Sequence, residues 1–229
     1  SEGDREYENI YRDIKERHAA CISQLFEGKD REIIQTTNLL FDELKNILLG
    51  ISLIKEVTLG ALDSISSFGE RLSANIIAAY INREYPSEFV DARKFIITDD
   101  NYTAASVLFD KTNESIKKYD DDCQVRMPLI PVITGYIGSN PEGRTTTMGR
   151  NSSDYTASIV GAALDATSVE IWTDVDGVYS ADPQYVPSAF IVPQLSFDEA
   201  IELSYFGAKV LHPLTFIPVT RKNIPIIIK

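Results

Sequence analysis

Three stretches of this chain hold residue types suited to an anionic substrate. The first is "GYIGSNPEGRTTTMGRNSSD", residues 135–154. Its glycines let a backbone approach a ligand closely, and its hydroxyls and amides supply donors. Arg150 offers a planar fork that matches a carboxylate. Ser152, Ser153 and Asp154 stand at the start of a helical pattern, where backbone amides point outward and favour anions. A long polar loop before a capped helix, with Asp154 easing the dipole, accounts for the same residues. The second stretch is "WTDVDGVYSADP", residues 172–183. An apolar strand runs there into a polar turn, so Thr173, Asp174 and Tyr179 can form a rim for a nucleotide; read neutrally, Asp176-Gly177 and Asp182-Pro183 are turns. The third is "YFGAKVLHP", residues 205–213. Lys209 follows a helix among small residues and can reach a phosphate, although a helix C-terminus favours lysine for its dipole alone. His212 before Pro213 reads as a turn residue, because no serine or cysteine nucleophile is placed against it.

Several familiar motifs are excluded. The run from Gly138 to Thr145 nearly matches a P-loop, with arginine where lysine belongs. A P-loop needs its helix to begin at the Lys-Thr, so that the helix N-terminus meets the phosphates. Three threonines, Met148 and Gly149 intervene here before anything helical. In the second stretch Gly177 comes too early after Asp174 for an EF-hand, and no glutamate closes the loop. Two histidines and two distant cysteines, Cys21 and Cys123, make neither a zinc cluster nor a disulfide framework.

Positioning such groups takes a sheet and its helices. Apolar residues at helical spacing predict a first helix through Tyr7, Ile10, Tyr11, Ile14, His18, Cys21, Ile22 and Leu25, closed by Gly28. Asp30 caps a second helix through Ile33, Thr37, Leu40, Phe41, Leu44 and Leu48, and the two read as an antiparallel hairpin. Alternating strands and helices follow. A helix is expected from Ser67, short strands at residues 89–92 and 94–97, a solvated turn at Asp120–Asp122, and a buried strand at 129–134. A Gly-rich turn, a small-residue helix at 152–164 and a strand at 168–173 come next. The capping box of Ser196 and Glu199 opens a helix over 197–205, and a buried strand at 224–228 ends the chain. Apolar strands alternating with helices predict a mostly parallel sheet covered on both faces, with ligands beyond its carboxyl ends. With 229 residues, 44% of them hydrophobic, there is enough chain for a sizeable core. The formal charge of -12 disfavours nucleic acid and anionic lipid as partners, and no apolar run reaches membrane-spanning length. These features lead us to expect a soluble, cytoplasmic protein.

Taken together and in order, "GYIGSNPEGRTTTMGRNSSDYTA", "EIWTDVDGVYSADP" and "ELSYFGAKVLHP" closely resemble aspartokinase, of the amino-acid kinase superfamily. The upstream "SSFGERLSA" is similar to that family's glutamate-bearing helix start. The resemblance covers residues 66–229, and the hairpin of residues 1–50 resembles the insertion of the longer aspartokinases. It implies a three-layer α/β/α sandwich with a mostly parallel sheet. It places Glu70 on the amino group of L-aspartate, Arg150 on the α-carboxylate, and Tyr136 and Ser153 in the aspartate pocket. Tyr136 stands where the family usually has phenylalanine. Asp154 would organise the active site, and Thr173, Asp174, Tyr179 and Lys209 would line the ATP site, Lys209 acting also as a catalytic cation. Asn151-Ser152 replaces a commonly glycine-rich motif, and Gln184 stands where an arginine is frequent. Glu70 has a plainer reading too, since Ser67-Phe68-Gly69-Glu70 fits a capping box.

The implied reaction is attack of the aspartate side-chain carboxylate on the γ-phosphate of ATP, the first step toward lysine, threonine and methionine. A carboxylate is already ionised at neutral pH and needs no general base. Charge on the transferring group would come from Mg2+ and lysine. The family's opening strand with its Lys-Phe-Gly-Gly motif is not among these residues. We therefore expect an incomplete domain, its first strand missing and inactive by itself, that forms a homo-oligomer at full length. A sibling kinase of glutamate, acetylglutamate or carbamate, and a non-catalytic binding module of the same fold, are the alternatives.

Overall fold

The computed structural model describes residues 3–28, 30–124, 129–181, 184–206 and 211–229. The predicted hairpin forms from α1 (Gly3–Phe26) and α2 (Arg31–Ile54). Asp30 caps α2, its carboxylate accepting from the N–H groups of Glu32 and Ile33 at 3.1 and 3.3 Å. Antiparallel packing brings Ile22 and Phe26 to Ile33, and lets the Tyr11 hydroxyl donate to the Phe41 carbonyl. Phe41 has no exposed surface, a burial that stabilises by about 1.5–3 kcal/mol.

The third helix corrects the expectation. α3 spans Leu59–Ile81 and is capped by Thr58, whose hydroxyl accepts from Ala61 N at 3.2 Å. It therefore begins well before Ser67. Ser67 is fully buried within α3 and donates to the Ser64 carbonyl, so the capping-box reading of Glu70 fails. Asp63 masked the earlier start, because a charged residue breaks an apolar pattern even where it is buried. Phe41 and Leu44 of α2 pack on Phe68 and Leu72 of α3, so the hairpin rests on this helix.

Two of the three observed ladders are parallel, as predicted. β1 (Ser87–Val90) pairs with β2 (Ile130–Ile133), Ser87 opposite Ile130 and Val90 opposite Ile133. β2 is not buried: Ile130 is 46% exposed and Pro131 is exposed too, which suits an edge strand lacking one donor. Residues 94–97 form no strand. A 3-10 turn, Ala92–Lys94, is started by Asp91, and isolated bridges tie Ile97 to Ser139 and Thr98 to Val107. The acidic run Asp120–Asp122 lies in a helix, α4 (Phe109–Gln124). Its apolar face is thin, mainly Ile116 with Tyr119 partly covered, so periodicity left it unseen.

The expected Gly-rich turn is an antiparallel hairpin of β3 (Ile137–Ser139) and β4 (Thr145–Thr147). The three threonines are thus a strand, and the P-loop stays excluded. α5 (Ser152–Ala163) follows and packs so closely on β5 (Val169–Ile171) that a Cβ on Gly161 would come within 2.7 Å of Val169. α6 (Phe197–Phe206) carries the predicted capping box, with Ser196 N donating to Glu199 Oε2 at 2.8 Å and Glu199 N donating back to Ser196 Oγ at 3.3 Å. His212 is the turn residue expected: its Nδ1 accepts from Leu214 N and starts the 3-10 turn Pro213–Thr215. After α7 (Phe216–Thr220), β6 (Ile226–Ile228) pairs with β5; it is only partly buried, Ile227 being 38% exposed. α5 borders both main apolar clusters, through Ile159 and Ala162. Among the described residues no helix is long and apolar enough to cross a membrane.

Candidate active site

Beyond the carboxyl ends of β2 and β5 lies a cleft of about 580 Å³. Its wall brings together Glu70, Tyr136, Arg150, Ser153, Asp154 and Thr173, six residues singled out from sequence, with Asn151 and Ser152 between them. All but Thr173 come from α3, the segment after β2, and the turn leading from β4 into α5. Thr173 enters from the end of β5. Asp174 and Tyr179 are not part of this wall. Thr173 Oγ1 hydrogen-bonds Asp174 at 3.2 Å, and Tyr179 leans toward Asp176 at 3.5 Å while bridging to Ile191. Lys209 lies outside the described residues.

Local backbone geometry explains how the wall holds its shape. Tyr136 and Asn151 have φ of 67° and 59°, the left-handed region that non-glycine residues enter at a cost. Asparagine bears that cost better than most, so Asn151 can hold a turn that would otherwise favour glycine. It makes no side-chain cap bond, and Ser152 Oγ donates instead to the Gly149 carbonyl at 2.6 Å. Tyr136 N donates to Thr156 Oγ1 at 3.2 Å, which fastens the loop to α5. Gly135 is required by contact: a Cβ there would sit 2.7 Å from Ser153 Oγ.

The charges are arranged in opposition. Arg150 is exposed at the mouth, while Glu70 and Asp154 are half-buried. Burial raises the Glu70 carboxyl above its ordinary value, opposed by a hydrogen bond from the Gly135 backbone. Burial also raises that of Asp154. Asp154 lies in the first turn of α5, whose N-cap is Asn151. A guanidinium and two carboxylates lining one cleft suit an amphoteric ligand that carries both an ammonium and a carboxylate.

With this geometry in view, the comparisons with known proteins decide the family. The amino acid kinase family model matches residues 2–229. The chain belongs to the amino acid kinase family. Within that family it is similar to aspartokinase 1, chloroplastic, of Arabidopsis thaliana, at 39% identity over 94% of this chain and 37% of that protein. Among solved structures, E. coli aspartokinase III in complex with aspartate and ADP superposes with a TM-score of 0.81. The identity is 32%, over 89% of this chain and 45% of that one. The same enzyme with lysine and aspartate gives a TM-score of 0.86 at 30% identity, covering all of this chain and 50% of its own. This member of the family thus spans less than two-fifths of the curated relative's length, and about half of either solved chain. The amino-acid kinase fold expected from sequence is shown.

For two residues of the quoted motif, the contact they make left no sign in the sequence. Gly135 carries no signal beyond being a glycine, and its role emerges only when Ser153 is placed against it. Ser152 was visible as part of the motif, but its buried bond to Gly149 was not.

Proposed function

We propose that this chain forms the substrate-binding part of an aspartate kinase, which transfers the γ-phosphoryl group of ATP to the side-chain carboxylate of L-aspartate. The observation that carries the proposal is the convergence of Glu70, Arg150, Ser153 and Asp154 on one cleft. Arg150 takes the α-carboxylate in a two-pronged contact, and Glu70 takes the ammonium. That leaves the second carboxylate directed toward Thr173 and Asp154. Held there, it is an ionised nucleophile, and alignment replaces general-base chemistry. The γ-phosphorus–oxygen bond to ADP breaks as the carboxylate oxygen bonds to phosphorus, giving 4-phospho-L-aspartate. The nucleotide extends from Thr173 past Asp174 and Tyr179, and Lys209 supplies charge to its phosphates.

Among the described residues no three carboxylate, histidine or cysteine groups cluster as a metal site. Mg2+ would be held mostly by triphosphate oxygens and water with one or two carboxylates, and the half-buried Asp154 would be one of them. Mg2+ bound there would neutralise charge on the phosphates.

The test is acyl-phosphate formation by the full-length protein with ATP and aspartate, glutamate or acetylglutamate in parallel. Aspartate is expected to be the preferred acceptor. Phosphorylation of acetylglutamate but not aspartate would refute the proposal, because that acceptor has no free ammonium for Glu70. Nucleotide binding without turnover of any acceptor would favour a binding module.

A further inference from the structure

The two ends of the aspartate site belong to different parts of the chain, and a single buried carboxylate spans them. Asp63 sits in α3, 1% exposed, seven residues before Glu70 and so on the same side of the helix two turns away. Both its oxygens are taken by donors from elsewhere. Thr147 donates through its N–H to Oδ2 at 3.0 Å and through its hydroxyl to Oδ1 at 2.7 Å. The Thr103 N–H is shared between Oδ2 at 2.9 Å and Oδ1 at 3.1 Å. Thr147 ends β4, three residues before Arg150. Thr103 is a β-branched residue at φ 70°, a conformation that persists only when its surroundings impose it. Its carbonyl lies behind Gly149, the residue next to Arg150.

We propose that Asp63 is a positioning residue that sets the separation between Glu70 and Arg150, and with it the affinity for the amino-acid substrate. It is not among the residues that line the cleft. On one side it belongs to the helix that carries Glu70. On the other it anchors the strand end and the strained loop that support Arg150. Thr147 is linked onward to the cleft wall, because its carbonyl accepts from Ala105 N at 2.9 Å and the next residue, Met148, donates to the Tyr136 carbonyl at 3.1 Å. Any change in the length of this strut therefore moves the two substrate contacts relative to each other. The nucleotide residues Thr173, Asp174 and Tyr179 lie on other elements and are left in place. This inference rests on the substrate reading above for the identity of the ligand, but not for the strut.

Three variants of the full-length protein test it. Asp63→Glu keeps the charge and both oxygens but lengthens the strut by one methylene. Asp63→Ala removes it. Asp63→Asn can retain it, because an amide turned with its oxygen toward the two N–H groups leaves its NH2 to donate to the Thr147 hydroxyl. The first two are expected to raise KM for aspartate by about tenfold or more, since a misplacement of roughly an ångström is costly. KM for ATP should stay near wild type in both, and Asp63→Asn should restore the aspartate value to within a few-fold. Hydrogen exchange supplies a readout independent of turnover: Asp63→Ala should deprotect amides at residues 147–153 while α2 stays protected. An unchanged aspartate KM in Asp63→Glu, or equal rises in both KM values, would overturn the proposal. So would lost melting temperature with normal kinetics, which is the mark of a purely structural bond. If the wild type phosphorylates a different amino acid, the substrate reading fails, and the same split measured on that acceptor still tests the strut.

Discussion

At the scale of single residues, substitutions at Arg150 and Asp154 test the proposed recognition and the proposed chemistry separately. Arg150→Lys replaces a planar fork with a point charge, which cannot hold a carboxylate by two parallel bonds. We expect a loss of about 1.5–3 kcal/mol in aspartate binding, typical of a charge-assisted hydrogen bond, with ATP binding little changed. A raised KM for ATP beside an unchanged KM for aspartate would contradict the placement of Arg150. Asp154→Asn should cut kcat strongly without loss of melting temperature. The sign follows from burial: a carboxyl raised above its ordinary value holds its proton more firmly folded than unfolded, so the charged form costs stability above that value. Removing the charge relieves that cost at neutral pH. Activity within a few-fold of wild type would reduce Asp154 to a helix-start residue. Glu70 is raised in the same direction. The grip on an ammonium proposed for it should therefore fade on acidification at a higher pH than an ordinary carboxylate would allow, and Glu70→Gln should abolish that dependence in aspartate titrations.

At the scale of elements, α3 is where the helical hairpin meets the site. Arg71, next to Glu70, is 8% exposed and donates to both oxygens of Glu43 in α2, at 3.1 and 2.7 Å. Its guanidinium also stacks 4.5 Å from the centroid of the Phe68 ring. The Glu43 side chain is 49% exposed, so solvent weakens the pair. Glu43→Ala should cost about 1–2 kcal/mol after that discount, measured by urea unfolding. No change would mean that water already satisfies Arg71. This contact gives the hairpin a part in holding the helix that bears Glu70, beyond packing its own core.

At the scale of the whole molecule, Asp91 and Arg93 tie the end of β1 to β4. Arg93 donates to both oxygens of Asp91, at 2.9 Å from Nε to Oδ1 and 2.6 Å from a terminal nitrogen to Oδ2. Its other terminal nitrogen reaches Thr145 Oγ1 at 2.9 Å. Burial pushes the Asp91 carboxyl up, but the bonds and charge of Arg93, with Arg71 beyond, outweigh it and leave the group below its ordinary value. A depressed carboxyl adds stability above its unfolded value and loses it as pH falls through the folded one. Glu70 and Asp154 act oppositely and at higher pH. Thermal melts from neutral to strongly acidic pH should therefore hold or rise at first and then fall. Asp91→Asn should start lower and lose most of the late fall. An acid limb identical to wild type would show that the ion pair does not link the sheets.

Much of this was written in local residue patterns. The caps at Asp30 and Ser196, the alternation of strand and helix, and the motif around Arg150 depend on neighbours in sequence. A cap needs only its own first turn, and a motif keeps its spacing wherever the chain goes. The start of α3 was hidden because Asp63 breaks the apolar pattern while lying buried, satisfied by Thr103 and Thr147 from distant segments. The helix containing Asp120–Asp122 escaped because one well-covered isoleucine makes a faint stripe. Sequence by itself determined which groups were available: the fork-shaped cation of Arg150, carboxylates at Glu70 and Asp154, and a strand opening into Thr173. Only the tertiary structure decided that they line one cleft, that Asp174 and Tyr179 stand off its wall, and that Asp63 of α3 bonds to the end of β4. Those outcomes depend on hydrogen bonds and close contacts between residues scores of positions apart, for which no local pattern leaves a trace.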